Sequence, residues 1–242
     1  EWEVNLNINL NMQSRINELI KISRIEAEKW ISYGLKKKEE KEIKDLLSEG
    51  NEINLIESFH KKLEFGTGGM RGLIGIGSNR INSYTISLAT QGLCNYLNKV
   101  IDGNKSAVIA YDSRRFSKEF GDQTAKIFSA NNIKSYIFSD LRPTPELSFA
   151  VRELNCSCGI VITASHNPKE YNGYKVYWND GGQITAPHDK NIISEVEKIT
   201  DFNQINFNFN SKLIEEIDTK IDKKYIDKIQ SLSNSNFLNL WH

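Results

Sequence analysis

Ser165 sits in the run Thr163-Ala164-Ser165-His166-Asn167-Pro168, which leads through Tyr171-Asn172-Gly173-Tyr174 to Lys175. A hydroxyl beside an imidazole, with an amine close downstream, could serve as a nucleophile or as a carrier of phosphate. A triad hydrolase needs a Gly-x-Ser-x-Gly elbow, whereas Ser165 is flanked by Ala164 and His166. Neighbouring side chains seldom reach nucleophile–base geometry, so His166 is a poor base for Ser165. His60, His188 and His242 lie in no recognisable context. A phosphorylated Ser165 fits the company better. It would bring nearly two negative charges and three acceptor oxygens to a place where His166, Asn167 and Lys175 can stabilise a transferring phosphoryl group. On residue types alone, however, a plain turn is the stronger reading, because Ser, Asn and Pro all favour turns.

A second candidate lies upstream, in Gly66-Thr67-Gly68-Gly69-Met70-Arg71-Gly72. Glycines let backbone N–H groups come close to an oxyanion, and the Arg71 guanidinium matches a phosphate. A tight turn before a strand, with Arg71 as a surface charge, is the alternative. The segment lacks the Gly-Lys-Ser/Thr ending of a nucleotide-binding P-loop and does not fit the dinucleotide fingerprint.

These residues must be held by something, and the hydrophobic pattern says what. Cys158-Gly159-Ile160-Val161-Ile162 reads as a buried strand, Asn172-Gly173 as a turn, and Tyr174 to Trp178 as the returning strand. Residues 14 to 62 read as helices, with Ile16 to Trp30 the best of them and a charged face from Lys36 to Lys44. Asn82 to Val100 reads as an amphipathic helix capped by Asn82 or Ser83. Ala107 to Tyr111 reads as a strand, and Ser117 is expected to cap a helix running to Asn131. Ser135 to Phe138 gives the next strand, and Pro143-Thr144-Pro145 opens a helix to Leu154. Strands alternating with helices predict an α/β fold: a three-layer α/β/α domain with a mainly parallel mixed sheet, preceded by N-terminal helices. The hairpin formed by Lys175 to Trp178 is expected to add an antiparallel edge strand. Ligands in such folds gather beyond the carboxyl ends of strands, where Asp112, Ser139 to Thr144 and Ser165 all fall.

Past a helix over His188 to Lys198, Asp201 to Phe209 is asparagine-rich and suits a linker. Ile214 to Leu232 reads as an amphipathic helix with Tyr225, Ile226 and Ile229 on one face. The expected division is therefore 1–62 as a leading segment and helical arm, 63–200 as the α/β domain, and 201–242 as linker plus the first helix of a second, truncated domain. Met12 directly precedes a good helix and is expected to be the natural start. Ser231 to His242 is an unusual serine- and asparagine-rich end.

Composition excludes several classes. Lysine plus arginine equals aspartate plus glutamate at 31 each, so neither nucleic acid nor a membrane surface is an expected partner. No apolar run approaches the roughly 18 residues that span a bilayer. Cys94, Cys156 and Cys158 lack zinc spacing and read as buried reduced thiols, which suits a cytoplasmic protein.

The order of the motifs is more specific than any one of them. Thr163 to Pro168 followed by Asn172-Gly173-Tyr174-Lys175 resembles the phosphoserine loop of the α-D-phosphohexomutase superfamily. Phe65 to Gly72 resembles its opening Gly-Thr-x-Gly-x-Arg motif. Tyr111-Asp112-Ser113-Arg114 with Ser117 is similar to its Asp-x-Arg segment, and Thr144-Pro145 to its Thr-Pro turn. Lys175-Val176-Tyr177-Trp178, Gly182-Gln183-Ile184 and Pro187 to Lys190 are more similar to the branch with phosphoglucomutase and phosphopentomutase activities than to phosphomannomutases.

The resemblance implies a phosphosugar mutase that interconverts glucose 1-phosphate and glucose 6-phosphate through a phosphoserine and a sugar bisphosphate. The alternatives are the ribose 1-phosphate/ribose 5-phosphate reaction or a non-catalytic remnant. It implies that Ser165 is the phosphoserine and, through its phosphate, a ligand of Mg²⁺. Lys175 is implied as general base, His166 as a residue orienting phosphoserine and substrate, and Thr67 and Arg71 as contacts of the phosphosugar. The Asp-Gly-Asp-x-Asp-Arg loop that supplies metal carboxylates in the superfamily is not found. A truncated form with little activity of its own is therefore expected, and its oligomeric state stays open.

Overall fold

The computed structural model describes the backbone of residues 2–232 and the side chains of residues 12–232. Residues 233–242, most of the unusual Ser231 to His242 end, and the side chains preceding Met12 lie outside the described residues. Three helices lead: α1 (Trp2–Ile31), α2 (Lys37–Leu47) and α3 (Glu52–Phe59). A short hairpin follows, β1 (Phe65–Gly66) and β2 (Gly69–Leu73). Then come α4 (Ser83–Val100), β3 (Ser106–Tyr111), α5 (Ser117–Ala130), β4 (Lys134–Phe138), α6 (Thr144–Glu153) and β5 (Cys158–Ile162). The chain continues with β6 (Tyr171–Trp178), α7 (His188–Glu197), β7 (Ile214–Ile217) and α8 (Thr219–Leu232).

The strands form one sheet in the order β1-β2-β6-β5-β3-β4-β7. The block β5-β3-β4-β7 is parallel, whereas β6 and the hairpin pair antiparallel. Side chains alternate between the two faces along each strand. Ile109, Ile160, Tyr174 and Val176 bury against α4, α5 and α7, while Val108, Ala110, Val161 and Tyr177 bury against α6 and α8. This is the expected three-layer α/β/α arrangement. The leading helices are not detached from it, because Trp30 of α1 meets Phe59, Tyr84 and Phe202 edge-on at ring separations of 5.6, 5.6 and 5.1 Å. Among the described residues, no helix is long and apolar enough to cross a membrane.

Several local expectations change. Asn172-Gly173 is not a turn; both residues lie inside β6, opposite Gly72 and Arg71 of β2. The glycine there serves close packing: a Cβ on Gly173 would stand 2.7 Å from the Thr163 carbonyl oxygen and 2.8 Å from that of Met70. Nor is β6 an edge strand, because the glycine-rich segment upstream folds into the β1–β2 hairpin and covers its outer side. Ser117 is the first residue of α5 rather than its cap; Phe116 takes the capping position in the left-handed region, at φ 63°.

The C-terminal stretch differs most. The asparagine-rich segment is tied to the middle of α4 and the end of α5, with Asn206 donating to Gln91 Oε1 and to the Ala130 carbonyl. Ile214 to Ile217 are a strand parallel to β4, so the sheet runs across the boundary expected at 200/201. The helix begins only at Thr219. It packs on α6 through buried Ile221 and a Phe149–Tyr225 ring contact. A four-residue strand with two exposed glutamates at its centre shows too little alternation to be read from pattern.

Where α8 meets α6, three charged groups interlock. Arg142 donates from Nε and a terminal nitrogen to both Asp222 oxygens, each at 2.7 Å. Glu146 is buried, with 5% of its surface exposed, and its Oε1 has no hydrogen-bond partner. Burial, followed by its hydrogen bond to Asp222, pushes the Glu146 carboxyl up to about 7, whereas Arg142 holds Asp222 below the usual range. A carboxyl raised in the folded state binds its proton more tightly there than in the unfolded chain. Its contribution to stability is therefore present at acid pH and is lost as pH rises through about 7. Glu146→Gln is expected to flatten the fall in stability between about pH 4.5 and 7, read as Tm against pH. An unchanged slope would show that Glu146 does not set it.

Candidate functional site

The loop between β5 and β6 is short and heavily tied. Thr163 donates its N–H to the Gly173 carbonyl at 3.1 Å, the last rung before the strands part. Its hydroxyl then accepts the Ser165 N–H at 2.9 Å. Asn167 N–H returns to the Ala164 carbonyl and Tyr171 N–H to that of Pro168, at 3.1 and 3.0 Å. Between these closures Ser165 is exposed and sits at φ 58°, a left-handed conformation that costs a non-glycine residue on the order of 1 kcal/mol. Strain of that kind persists only where surrounding bonds impose it.

Those bonds come largely from Arg114, on the loop that follows β3. One terminal nitrogen donates to the Pro168 and Tyr171 carbonyls at 2.8 and 3.1 Å, the other to those of Ser165 and Asn167 at 2.7 and 2.6 Å. Its Nε lies 3.5 Å from Asp112 Oδ2. Asp112 Oδ1 in turn accepts from the Arg114 amide and from Ser117 Oγ, at 3.0 and 2.8 Å. Asn172, fully buried, closes the ring: its amide group donates to Ser117 Oγ and the Arg115 carbonyl, and its oxygen accepts the Gly173 N–H.

Of the candidates named from sequence, Ser165, His166 and Arg71 converge on this loop. Ser165 Oγ and His166 Nδ1 are 3.3 Å apart, so the adjacent side chains do approach. That separation exceeds the ~2.6–3.2 Å of a working nucleophile–base pair. No further group holds the His166 ring among the described residues. Arg71 reaches across from β2 and donates to Asn167 Oδ1 at 2.8 Å. Lys175 pairs with Gly69 on one side and Val161 on the other. By strand alternation it shares a sheet face with Arg71, and the intervening Gly69 and Gly173 carry no side chain to fill that strip. Its ammonium makes no hydrogen bond or ion pair among the described residues. Thr67 lies at the exposed tip of the β1–β2 hairpin. Neither Lys175 nor Thr67 contacts Ser165 through a hydrogen bond.

Asp112 is legible from sequence only as lying at a strand's carboxyl end, and Arg114 and Ser117 only as part of a motif; none of them, nor Asn172, receives a role there. The signal was present in the Asp-Ser-Arg-Arg-Phe-Ser run at a strand's carboxyl end, but which arginine turns inward depends on the fold. A divalent cation fits less well. Among the described residues, no three His, Cys, Asp or Glu side chains cluster to hold one, and the carboxylate beside the loop, Asp112, is already taken by Arg114 and Ser117. The described residues therefore do not by themselves make a Mg²⁺ site.

Comparison with known proteins gives concordant results. Residues 62–203 match the family described as phosphoglucomutase/phosphomannomutase, alpha/beta/alpha domain I. The human phosphopentomutase is 41% identical over 181 residues, covering 72% of this chain and 30% of the relative. The phosphoglucomutase of Staphylococcus aureus strain MRSA252 is 36% identical over 214 residues, covering 87% of this chain and 38% of the relative. A crystal structure from Thermus thermophilus, provisionally assigned as a phosphomannomutase, superposes with a TM-score of 0.62 at 25% identity, covering 72% of this chain and 37% of that one. The chain thus spans about a third of the length of the curated relatives it matches.

The packing at Gly173 yields a direct test. Gly173→Ala forces a methyl group against two backbone carbonyls and is expected to cost about 1–3 kcal/mol. Urea denaturation measures it, and a cost near zero would show that β2, β6 and the loop are less tightly joined than described.

Proposed function

The chain belongs to the phosphoglucomutase/phosphomannomutase family, and from that membership we propose that it carries the phosphoryl-transfer serine of a phosphosugar mutase. The observation that supports this best is Ser165 itself: exposed, in a left-handed conformation, at the carboxyl end of a buried strand, with His166 and Arg71 gathered at the same loop. In the proposed reaction Ser165 bears a phosphate. A hydroxyl of the bound sugar phosphate attacks the phosphorus, the Ser165 Oγ–P bond breaks, and a sugar O–P bond forms. Lys175 takes the hydroxyl's proton. The resulting sugar bisphosphate then returns its other phosphoryl group to Ser165 Oγ, and the freed sugar oxygen recovers a proton from Lys175. His166 orients the phosphate on Ser165. Arg71, with most of its donors uncommitted among the described residues, grips phosphate oxygens as a planar fork. Thr67 supplies a further contact from the hairpin tip.

Glucose 1-phosphate and glucose 6-phosphate are the proposed pair, with a glucose bisphosphate as the intermediate and activator. Ribose 1-phosphate and ribose 5-phosphate are the second reading, favoured by the 41% identity to phosphopentomutases. We propose that this chain alone turns over little, because its described residues hold no cation cluster. A folded, non-catalytic remnant is the competing possibility.

Intact-mass spectrometry of the full chain incubated with glucose 1,6-bisphosphate separates these readings. Wild type is expected to gain one phosphate and Ser165→Ala none. Parallel coupled assays with glucose 1-phosphate and ribose 1-phosphate identify the sugar, and the substitution should lower any turnover by on the order of a thousandfold. Equal phosphate gain in Ser165→Ala would remove the reading; no gain in wild type would favour the remnant.

A further inference from the structure

The geometry points to Arg114 as the positioning residue of the Ser165 loop: it holds the peptide carbonyls of that loop on one side and never touches the transferred phosphate. The inference deepens the proposed function and, as a statement about phosphoryl transfer, rests on it. The argument begins with a count of donors. A guanidinium carries five N–H groups and accepts nothing. Four of Arg114's go to the Ser165, Asn167, Pro168 and Tyr171 carbonyls, and the fifth faces Asp112. None is left for a ligand. The side chain is also largely buried, with 14% of its surface exposed. Arg71 is the opposite case: an exposed arginine with a single hydrogen bond, to Asn167 Oδ1. Two arginines thus meet one loop and divide its work.

Peptide planarity gives the clamp a consequence at the site. In a trans peptide the N–H of a residue points opposite to the preceding carbonyl. With the Ser165 and Pro168 carbonyls drawn toward Arg114, the amides of His166 and Lys169 are turned away from it. Neither amide makes a hydrogen bond among the described residues. The clamp therefore collects the acceptor ends of the loop's peptides on the Arg114 side and presents free donor ends on the other, where they can meet an anion. It also imposes the left-handed Ser165, since the Ser165 carbonyl is one of the four it holds. A lysine cannot substitute, because one ammonium offers its donors from a single point and cannot span four carbonyls in a plane.

The test uses the full chain with R114K, D112N and R71K. Phosphate incorporation from glucose 1,6-bisphosphate, followed by mass at increasing concentration, gives a rate at saturation and a half-saturation concentration. R114K is expected to lower the saturated rate about tenfold or more while half-saturation moves less than about twofold. D112N should act in the same direction and more weakly, and it carries the test if R114K does not fold. R71K should instead raise half-saturation. Hydrogen exchange of the 163–171 peptide should accelerate in R114K and stay unchanged in R71K. A normal saturated rate in R114K and D112N overturns the inference, as does an R114K effect confined to half-saturation, which would make Arg114 a ligand contact. If wild type takes up no phosphate, the mutase reading fails. The exchange measurement then still judges the clamp: selective loosening of 163–171 in R114K upholds it, and unaltered protection overturns it.

Discussion

Four backbone carbonyls facing one guanidinium is the interaction on which this site depends. Carbonyl groups that converge repel one another and must lose water, so they gather only around a donor of matching shape. Arg114 is such a donor, and its charge is balanced by Asp112 rather than by anything in the loop. The balance matters because Asp112 also anchors Ser117 at the start of α5, and Ser117 receives the buried Asn172 of β6. A strand, a helix start and a loop are thereby referenced to one pair of charges. The exposed serine is flexible in type but held in conformation.

The glycines complete the same design from the other side. Gly69 at φ 137° brings β2 so close to β6 that a Cβ would stand 1.9 Å from the Tyr174 carbonyl oxygen. Gly173 does the same between β2 and the loop. Close approach of three backbones lets Arg71, from β2, reach Asn167 in a loop that follows β5. The leading helices contribute indirectly: Trp30 packs into the aromatic group with Tyr84 and Phe202, which steadies α4 under the sheet.

Much of this was legible in the chain itself. Strands and helices alternate with strong apolar runs, and Asn82 is the cap its type suggests, accepting the Tyr84 and Thr85 amides. Ser165, His166 and Arg71 were identifiable as a group because their motifs are local and their order is distinctive. What was not legible is relational. Asn172-Gly173 reads as a turn because those types favour turns, yet tertiary packing puts both in a strand where only a small residue and a buried amide fit. Ile214-Glu215-Glu216-Ile217 hides in a polar stretch because an edge strand needs little apolar surface. Arg114 and Arg115 are alike in type, and only the folded loop decides that the first turns inward while the second lies over the Phe116 ring.

The contacts that make the loop also say when it can exist. Arg71 and Asn167 are 96 positions apart, and Arg114 and Ser165 are 51 apart. Neither bond can form within a growing local segment; each must wait until distant strands have paired, and contacts of such separation are slow to form. The hairpin at one end of the set must find β6 after nearly a hundred residues of intervening chain have folded. The Ser165 loop is thus a late product of folding, and its integrity reports on the completion of the sheet as a whole.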